Sequence, residues 1–278
     1  MTLQELPGIV LAPYGTLFSS ALATYDQIQK AYERIFPGSR VLLAFTSHLM
    51  IKKLKQKEGI SVQSLPAALE ELCGLGSESV VVQSLQIVPG GEFHKVAALV
   101  QAMQSSGKQA FSRLEIGLPL LSDLSDCRRV SSLLPSLLSS LCSGPASPRD
   151  PEKEAVLLVG HGTGHPGDAL YSLMAQVLKR EHRNVFLGTI EGFSGLAELL
   201  PELKGSGVRV VRLLPFLLVA GGHAENDIFG QSHSSWKSAL EREGYEVVVD
   251  WRGLCQSPEI VSLFLEHTGN ALEKMKNG

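Results

Sequence analysis

Three side chains with metal-binding groups follow three consecutive predicted strands in the second half of the chain: His161, Glu191 and His223. In open parallel sheets, ligands bind beyond the carboxyl ends of the strands, where loops from several strands converge. Two imidazoles and one carboxylate suit divalent Co, Ni, Fe or Zn and leave coordination positions open. The pattern therefore predicts a metal site at this edge of the sheet.

Glycines accompany both histidines, as Gly162 and Gly222. Residues without a Cβ let the backbone turn tightly and let a large ligand approach closely. Either histidine alone is equally well explained as a strand-end residue that bonds to nearby backbone. The three residues together, at equivalent strand ends, favour a site.

Glu92 holds in the first half the position that His223 holds in the second. If the halves face each other, Glu92 adds a carboxylate to the same cleft. The alternative is a glutamate that only complements the dipole of its helix N-terminus. His48, His94 and His233 also begin helical segments, and we expect them to be solvated surface residues.

These residues are positioned by a regular alternation of strands and helices. The apolar runs are continuous, which is typical of parallel strands covered on both faces. Such alternation predicts an α/β, doubly wound fold. The predicted strands are 8–13, 40–45, 79–87, 111–120, 155–159, 184–190, 208–214 and 245–251, and the predicted helices are 20–35, 64–73, 92–105, 123–141, 168–181, 194–203, 232–243 and 259–273.

The two halves resemble each other. IVLAPYGT and VLLVGHGT align Tyr14 with His161, and IVPGGE and LVAGGH align Glu92 with His223. Matched strand ends at drifting spacing indicate an internal duplication. We expect an N-terminal half at 1–142, a proline-rich linker at 143–153 and a C-terminal half at 154–278 that carries the metal site, with a cleft between the halves.

Composition excludes several classes of protein. The chain has 278 residues and a formal net charge of −3, which removes the usual electrostatic case for a nucleic-acid binder. Its start does not read as a signal peptide and no apolar run is long enough for a membrane helix, so we expect a cytoplasmic protein without membrane contact. The scattered cysteines, Cys73, Cys127, Cys142 and Cys255, form no CxxC pair, and we expect them to be buried and reduced.

At these residues the chain resembles the anaerobic cobaltochelatases of the CbiK family, which insert cobalt into sirohydrochlorin. The resemblance covers most of both halves and rests on PYGT at 13–16, VPGGEFHKV at 88–96, VGHGT at 159–163, TIEGF at 189–193, AGGHAENDIFG at 220–230 and SW at 235–236.

The resemblance implies a chelatase-like fold and a lyase, with His161, Glu191 and His223 as metal-binding and catalytic residues. It implies Co²⁺ as the substrate metal, sirohydrochlorin as the tetrapyrrole partner and no organic cofactor. The family commonly has a Phe and a Ser where this chain has Tyr14 and Leu17.

The tetrapyrrole contacts are expected around Tyr14, Gly15, Thr16, Gly162 and Gly222. Backbone N–H groups of helix starts that follow the glycines are candidate donors to the substrate carboxylates.

Three alternatives stay open at this stage. The same fold could insert Fe²⁺ or Ni²⁺, because the ligand set does not select the metal. A two-lobed carrier could bind a metal or tetrapyrrole without turnover. A hydrolase or phosphatase has little support, because the chain has neither a GxSxG elbow nor a phosphate loop. Homo-oligomers are common among soluble enzymes, so a homo-oligomer is expected on that ground alone, and the sequence identifies no interface.

Overall fold

The computed structural model describes residues 6–105, 111–141 and 152–277. The chain divides into two compact units. The first comprises Met1–Leu120 and Val261–Gly278, and the second is Leu121–Ile260. Each unit has its own parallel sheet.

The first unit contains a five-stranded sheet in the order β3-β2-β1-β4-β5, with every pairing parallel. The central strand β1 is apolar and buried along its whole length, because helices cover both faces of the sheet. Its elements are β1 (Gly8–Pro13), α1 (Ser19–Ile35), β2 (Val41–Phe45), α2 (His48–Glu58), β3 (Gln63–Ser64), α3 (Leu65–Gly74), β4 (Ser79–Leu85), α4 (Gly91–Ser105) and β5 (Arg113–Gly117).

The second unit contains a four-stranded parallel sheet in the order β7-β6-β8-β9. Its elements are α5 (Leu124–Leu141), β6 (Glu154–Gly160), α6 (Ala169–Glu181), β7 (Val185–Thr189), α7 (Leu196–Gly205), β8 (Val210–Pro215), α8 (Trp236–Arg242) and β9 (Glu246–Val249). The last helix, α9 (Pro258–Asn277), begins in this unit and belongs to the first unit from Val261 onward.

The two sheets share one strand order. In each sheet the first strand lies in the middle, with the second strand on one side and the next two on the other, and β3 is an addition at the edge of the first sheet. This confirms the predicted α/β fold with two similar parallel-sheet halves. It also places β1 and β6, which carry the aligned Tyr14 and His161, in equivalent positions.

The first unit is not a continuous segment of the chain, whereas the second unit is. Helix α5 belongs to the second unit, where it packs against α6, and most of α9 belongs to the first. The boundaries predicted at 1–142 and 154–278, and the cleft between those halves, remain predictions. The predicted linker lies outside the described residues except for Glu152 and Lys153.

Helix α9 is tied to the first unit by a buried hydrogen-bond chain. The hydroxyl of Thr268 donates to the Gln83 side-chain oxygen at 2.8 Å and lies 3.1 Å from the Tyr32 hydroxyl. All three residues are fully buried. The Gln83 amide in turn donates to Leu118 O at 2.8 Å, which links α9 to the segment after β5.

Replacing Thr268 with Val is therefore expected to lower the free energy of unfolding by about 1–3 kcal/mol, because buried polar partners lose a hydrogen bond while the side-chain shape is kept. Urea denaturation measures the change. Thr268→Ser keeps the hydroxyl and serves as the matched control. Equal stability of the Val variant and the wild type would refute the contribution of this chain of hydrogen bonds.

Two elements of the first unit differ from the sequence prediction. Helix α2 and the short strand β3 were not predicted, and α2 buries only Leu54. The helix is defined by its ends, where Ser47 accepts a hydrogen bond from Met50 N and Gly59 adopts a left-handed conformation.

The cysteine prediction is partly wrong. Cys127 and Cys255 are buried, and burial raises the pKa of each thiol to about 12. Cys73 is exposed, near the end of α3. Cys142 lies outside the described residues. Within 6–105, 111–141 and 152–277, no helix is long and apolar enough to cross a membrane.

Candidate metal centre

His161 directly follows β6, an interior strand of the second sheet. The strand is buried throughout, so it fixes the backbone that carries the imidazole. Gly160 ends the strand without a Cβ, because a Cβ there would lie 2.5 Å from the Tyr171 ring. The His161 side chain emerges partly buried at the carboxyl edge of the sheet, as the sequence predicts.

Gly162 continues this turn in the left-handed region, with φ of +77°. A Cβ at this position would overlap Gly192 N and lie 2.8 Å from Thr189 Cβ. The glycine thus allows the loop after β6 to touch the loop after β7. The Gly162 carbonyl lies 2.8 Å from His161 Nδ1.

His223 reaches the same edge by a different route from the one predicted. It does not end a strand: β8 ends at Pro215, residues 216–221 form a loop, and the partly buried Gly222 and His223 are already helical. His223 precedes a π-helical turn at Ala224–Ile228. Such turns are rare and occur frequently at functional sites.

Asp227 orients His223. Its carboxylate lies 2.8 Å from His223 Nδ1, four residues along the turn. Sequence reasoning missed Asp227, although the spacing of His223 and Asp227 is the signal that would have found it, since residues four apart meet on a helical face. A carboxylate partner on a histidine fixes the ring and raises its basicity as a ligand.

The two imidazoles meet through their Nε2 atoms, which are 3.1 Å apart, with the rings nearly perpendicular at 86°. The Gly162 carbonyl and the Asp227 carboxylate can only accept, so each Nδ1 carries a hydrogen and each neutral Nε2 has a lone pair. Two Nε2 lone pairs that face each other can bind one metal ion jointly.

The separation of the two nitrogens suits one metal ion. Two nitrogens 3.1 Å apart and each about 2.1 Å from a shared ion subtend an angle of about 95°, between the octahedral and tetrahedral values. The pair can hold a divalent ion while other coordination positions stay open.

Glu191 lies next to the pair in the backbone, because its N–H donates to His161 O at 2.8 Å. Its side chain is exposed. In the described part of the chain, no three His, Cys, Asp or Glu side chains are grouped so as to hold a metal ion. The structure therefore brings His161 and His223 together but does not add the Glu191 carboxylate, and the three-ligand set remains a prediction.

The loops at the carboxyl edge of the second sheet carry acidic and aromatic groups. Glu191, Glu225 and Asp227 carry carboxylates on the loops of this edge, which favours the approach of a divalent cation. The ring of Phe193 is 82% exposed, and Trp251, after β9, is half-exposed against Phe229. Exposed aromatic faces on loops of the same sheet edge suit a flat, conjugated ligand.

The predicted tetrapyrrole contacts of the first unit follow β1. Tyr14 is exposed and Thr16 is buried, with its hydroxyl accepting from Phe18 N at 3.2 Å. Gly15 has φ of +118°, and a Cβ there would lie 2.6 Å from the Phe45 ring. The close packing against Phe45 explains why residue 15 is a glycine. Of Tyr14, Gly15 and Thr16, only Tyr14 presents a side chain to solvent.

Glu92 lies in the first turn of α4, where its carboxylate is 2.5 Å from Lys95 Nζ and 3.4 Å from the Thr46 hydroxyl. The pairing with Glu92 raises the pKa of Lys95. These contacts agree with the helix-end alternative and leave the catalytic assignment a prediction.

The remaining candidate histidines make local contacts. His94 Nδ1 lies 2.9 Å from Gly90 O, one turn earlier. His48 is the exposed first residue of α2, and His233 is exposed ahead of α8. None of the three lies in a group of metal-binding side chains within the described residues.

Comparison with known proteins gives a family match over nearly the whole chain. The family described as "Cobalt chelatase (CbiK)" matches residues 7–273. The sirohydrochlorin cobaltochelatase CbiKC of Nitratidesulfovibrio vulgaris is 34% identical over 276 residues, covering 98% of this chain and 94% of the relative. The sirohydrochlorin cobaltochelatase of Salmonella typhimurium is 32% identical over 236 residues, covering 85% and 84%.

Solved structures support the fold. SirB from Bacillus subtilis, determined with Fe³⁺, has a TM-score of 0.68 at 14% identity and covers 95% of each chain. DR2241 from Deinococcus radiodurans, a multi-domain protein described as similar to chelatases, has a TM-score of 0.60 at 15% identity, covering 94% of this chain and 54% of that one. With the family match and both relatives spanning most of its length, the chain belongs to the cobalt chelatase (CbiK) family.

Proposed function

We propose that this chain is a sirohydrochlorin cobaltochelatase, a lyase that inserts Co²⁺ into sirohydrochlorin in anaerobic cobalamin biosynthesis. The supporting observation is the His161–His223 pair, whose Nε2 atoms are 3.1 Å apart in a chain of the cobalt chelatase family. The reaction exchanges two pyrrole protons for one Co²⁺ ion, so the site must deliver a cation and accept protons.

The histidine pair suits both tasks. In the proposed mechanism, His161 and His223 hold Co²⁺ through Nε2, and Glu191 adds negative charge and a further ligand. Open positions on the ion let a pyrrole nitrogen bind before the imidazoles release it. Each of the two imidazole nitrogens freed by the departing ion then accepts one of the two pyrrole protons, which is the role of a general base.

The substrate carries carboxylates, whereas the chain has a net charge of −3, so local donors must bind it. We assign the macrocycle to the carboxyl edge of the second sheet, with Gly162 and Gly222 at its margin, and the contacts expected of Tyr14, Gly15 and Thr16 stay predictions. Backbone N–H groups at helix starts are the donors for its carboxylates. We place the enzyme in the cytoplasm and assign it no organic cofactor.

An anoxic absorbance assay tests the proposal. Sirohydrochlorin at large excess over protein is mixed with Co²⁺, Fe²⁺ or Ni²⁺, and the macrocycle spectrum is followed beside a protein-free control. Many turnovers with Co²⁺, faster than with the other ions, are expected. A faster reaction with Fe²⁺ or Ni²⁺ would show that this ion, and not Co²⁺, is the substrate metal. A single spectral change whose size is proportional to the amount of protein would indicate a carrier that does not turn over.

Glu92 is proposed as a helper that accepts or relays a proton. Glu92→Ala is expected to lower the turnover number about tenfold, equivalent to about 1.4 kcal/mol of transition-state stabilisation. Steady-state kinetics measures the change. Glu70→Ala, at an exposed glutamate of α3, is the matched control. If Glu92→Ala behaves like the control, the carboxylate serves its helix end and not the reaction.

A further inference from the structure

Asp168 is a buried carboxylate to which neither the predicted site nor the family match gives a role. It ends a short 3₁₀ turn at Pro166–Asp168 and is 9% exposed. It occupies the N-cap position of α6, yet in the described chain its side chain does not cap that helix. Its two oxygens are directed to other partners.

Those partners are two loops of the candidate metal centre. Asp168 Oδ1 accepts from Thr163 N at 3.0 Å, in the loop that begins with His161. Asp168 Oδ2 accepts from Phe193 N at 2.9 Å, two residues beyond Glu191. One carboxylate therefore bridges the loop after β6 and the loop after β7.

The fit around this bridge leaves no room for a side chain. A Cβ on Gly192 would lie 2.5 Å from Asp168 Oδ1 and 2.8 Å from Oδ2. The two loops also touch directly, through the hydrogen bond from Glu191 N to His161 O. Three hydrogen bonds thus fix the backbones of His161 and Glu191 relative to each other.

We infer that Asp168 is a positioning residue of the metal centre, which sets the separation between His161 and Glu191 without touching the ion. Its oxygens are both engaged by backbone N–H groups, so it acts through the two loops and not as a ligand. A charged acceptor forms stronger hydrogen bonds to N–H groups than a neutral one. This role of Asp168 rests on the proposed function only in one respect: the ion held at the centre is taken to be the Co²⁺ that is inserted into the tetrapyrrole.

Asp168→Asn tests the inference with little change of shape. The new amide nitrogen cannot accept, so one of the two loop N–H groups loses its partner. Loss of such outer contacts typically weakens metal binding about 10–100-fold. We expect a Co²⁺ dissociation constant raised within that range by anoxic calorimetry, a KM for Co²⁺ that rises more than kcat falls, and a changed visible d–d spectrum of bound Co²⁺.

Asp126→Asn is the matched control. Asp126 is also buried in the second unit and accepts a backbone N–H, from Ser122 at 2.9 Å, but on neither loop of the histidine pair. It is expected to lower the melting temperature and leave the Co²⁺ dissociation constant and spectrum unchanged. If Asp168→Asn does the same, its role is structural only and the inference is wrong.

A second variant decides the matter if Asp168→Asn does not fold. Gly192→Ala keeps the carboxylate but displaces it, and the same weakening of Co²⁺ binding is expected. Wild-type affinity in that variant would overturn the inference. Failure of the wild type to turn over sirohydrochlorin would overturn the proposed function alone, because Co²⁺ binding still compares the variants.

Discussion

His161→Ala and His223→Ala are each expected to lower the rate of cobalt insertion about a thousandfold, within the range attributed to loss of a positioned acid or base. Each change removes one of two nitrogens 3.1 Å apart, which in this account hold the ion jointly. The double variant is expected to be scarcely worse than either single variant, because groups that act as a unit are not additive.

Steady-state turnover with Co²⁺ and sirohydrochlorin measures the loss, and circular dichroism checks that the fold is kept. His233→Ala, at an exposed histidine of the same unit, is the control and should match the wild type. Near-normal turnover in either variant of the pair would exclude that imidazole from the mechanism. Losses that multiply in the double variant would mean that the two act separately.

Gly162→Ala is expected to lower turnover about a hundredfold, the effect that a displacement of about 1 Å has at an active site. The backbone has φ of +77°, which disfavours any residue with a Cβ. The added Cβ would also overlap Gly192 N, which is backbone and cannot rotate away. The loop must therefore shift, and His161 shifts with it.

Gly164→Ala is the matched control, because it replaces another glycine of the same loop, two residues after Gly162. Among the described atoms nothing lies within 4 Å of a Cβ at Gly164, so this variant should keep the wild-type rate. The comparison is made by steady-state kinetics on both variants, with melting temperatures to correct for stability. Equal rates for the two alanine variants would show that the close approach of the loops is unimportant.

The strands were predictable because burial on both faces gives continuous apolar runs. The sequence predicts β1 at 8–13, and the structure has Gly8–Pro13. Helix α2 was missed because it is rich in lysine and only Leu54 is fully buried, so its apolar stripe is short. Its two ends did carry signals, in Ser47 as N-cap and Gly59 as a left-handed C-cap.

The candidate site was predictable where one strand end determined a position and unpredictable where the partner is distant in sequence. His161 follows β6 as expected, whereas His223 is separated from β8 by residues 216–222. Asp168 gave no local signal, because its partner Phe193 is 25 residues away and the bridge forms only when β6 and β7 pair. The Glu191 carboxylate depends on side-chain rotation, which strand order does not determine.

The central claim is that the Nε2 atoms of His161 and His223 jointly hold the ion that enters the macrocycle. Anomalous diffraction at the cobalt edge, from crystals soaked with Co²⁺ under anoxic conditions, tests it directly. We expect one cobalt peak about 2.1 Å from both Nε2 atoms, with the Glu191 carboxylate turned toward it. A cobalt peak bound by neither histidine, in crystals of protein that is active in solution, would contradict joint binding of the ion by His161 and His223.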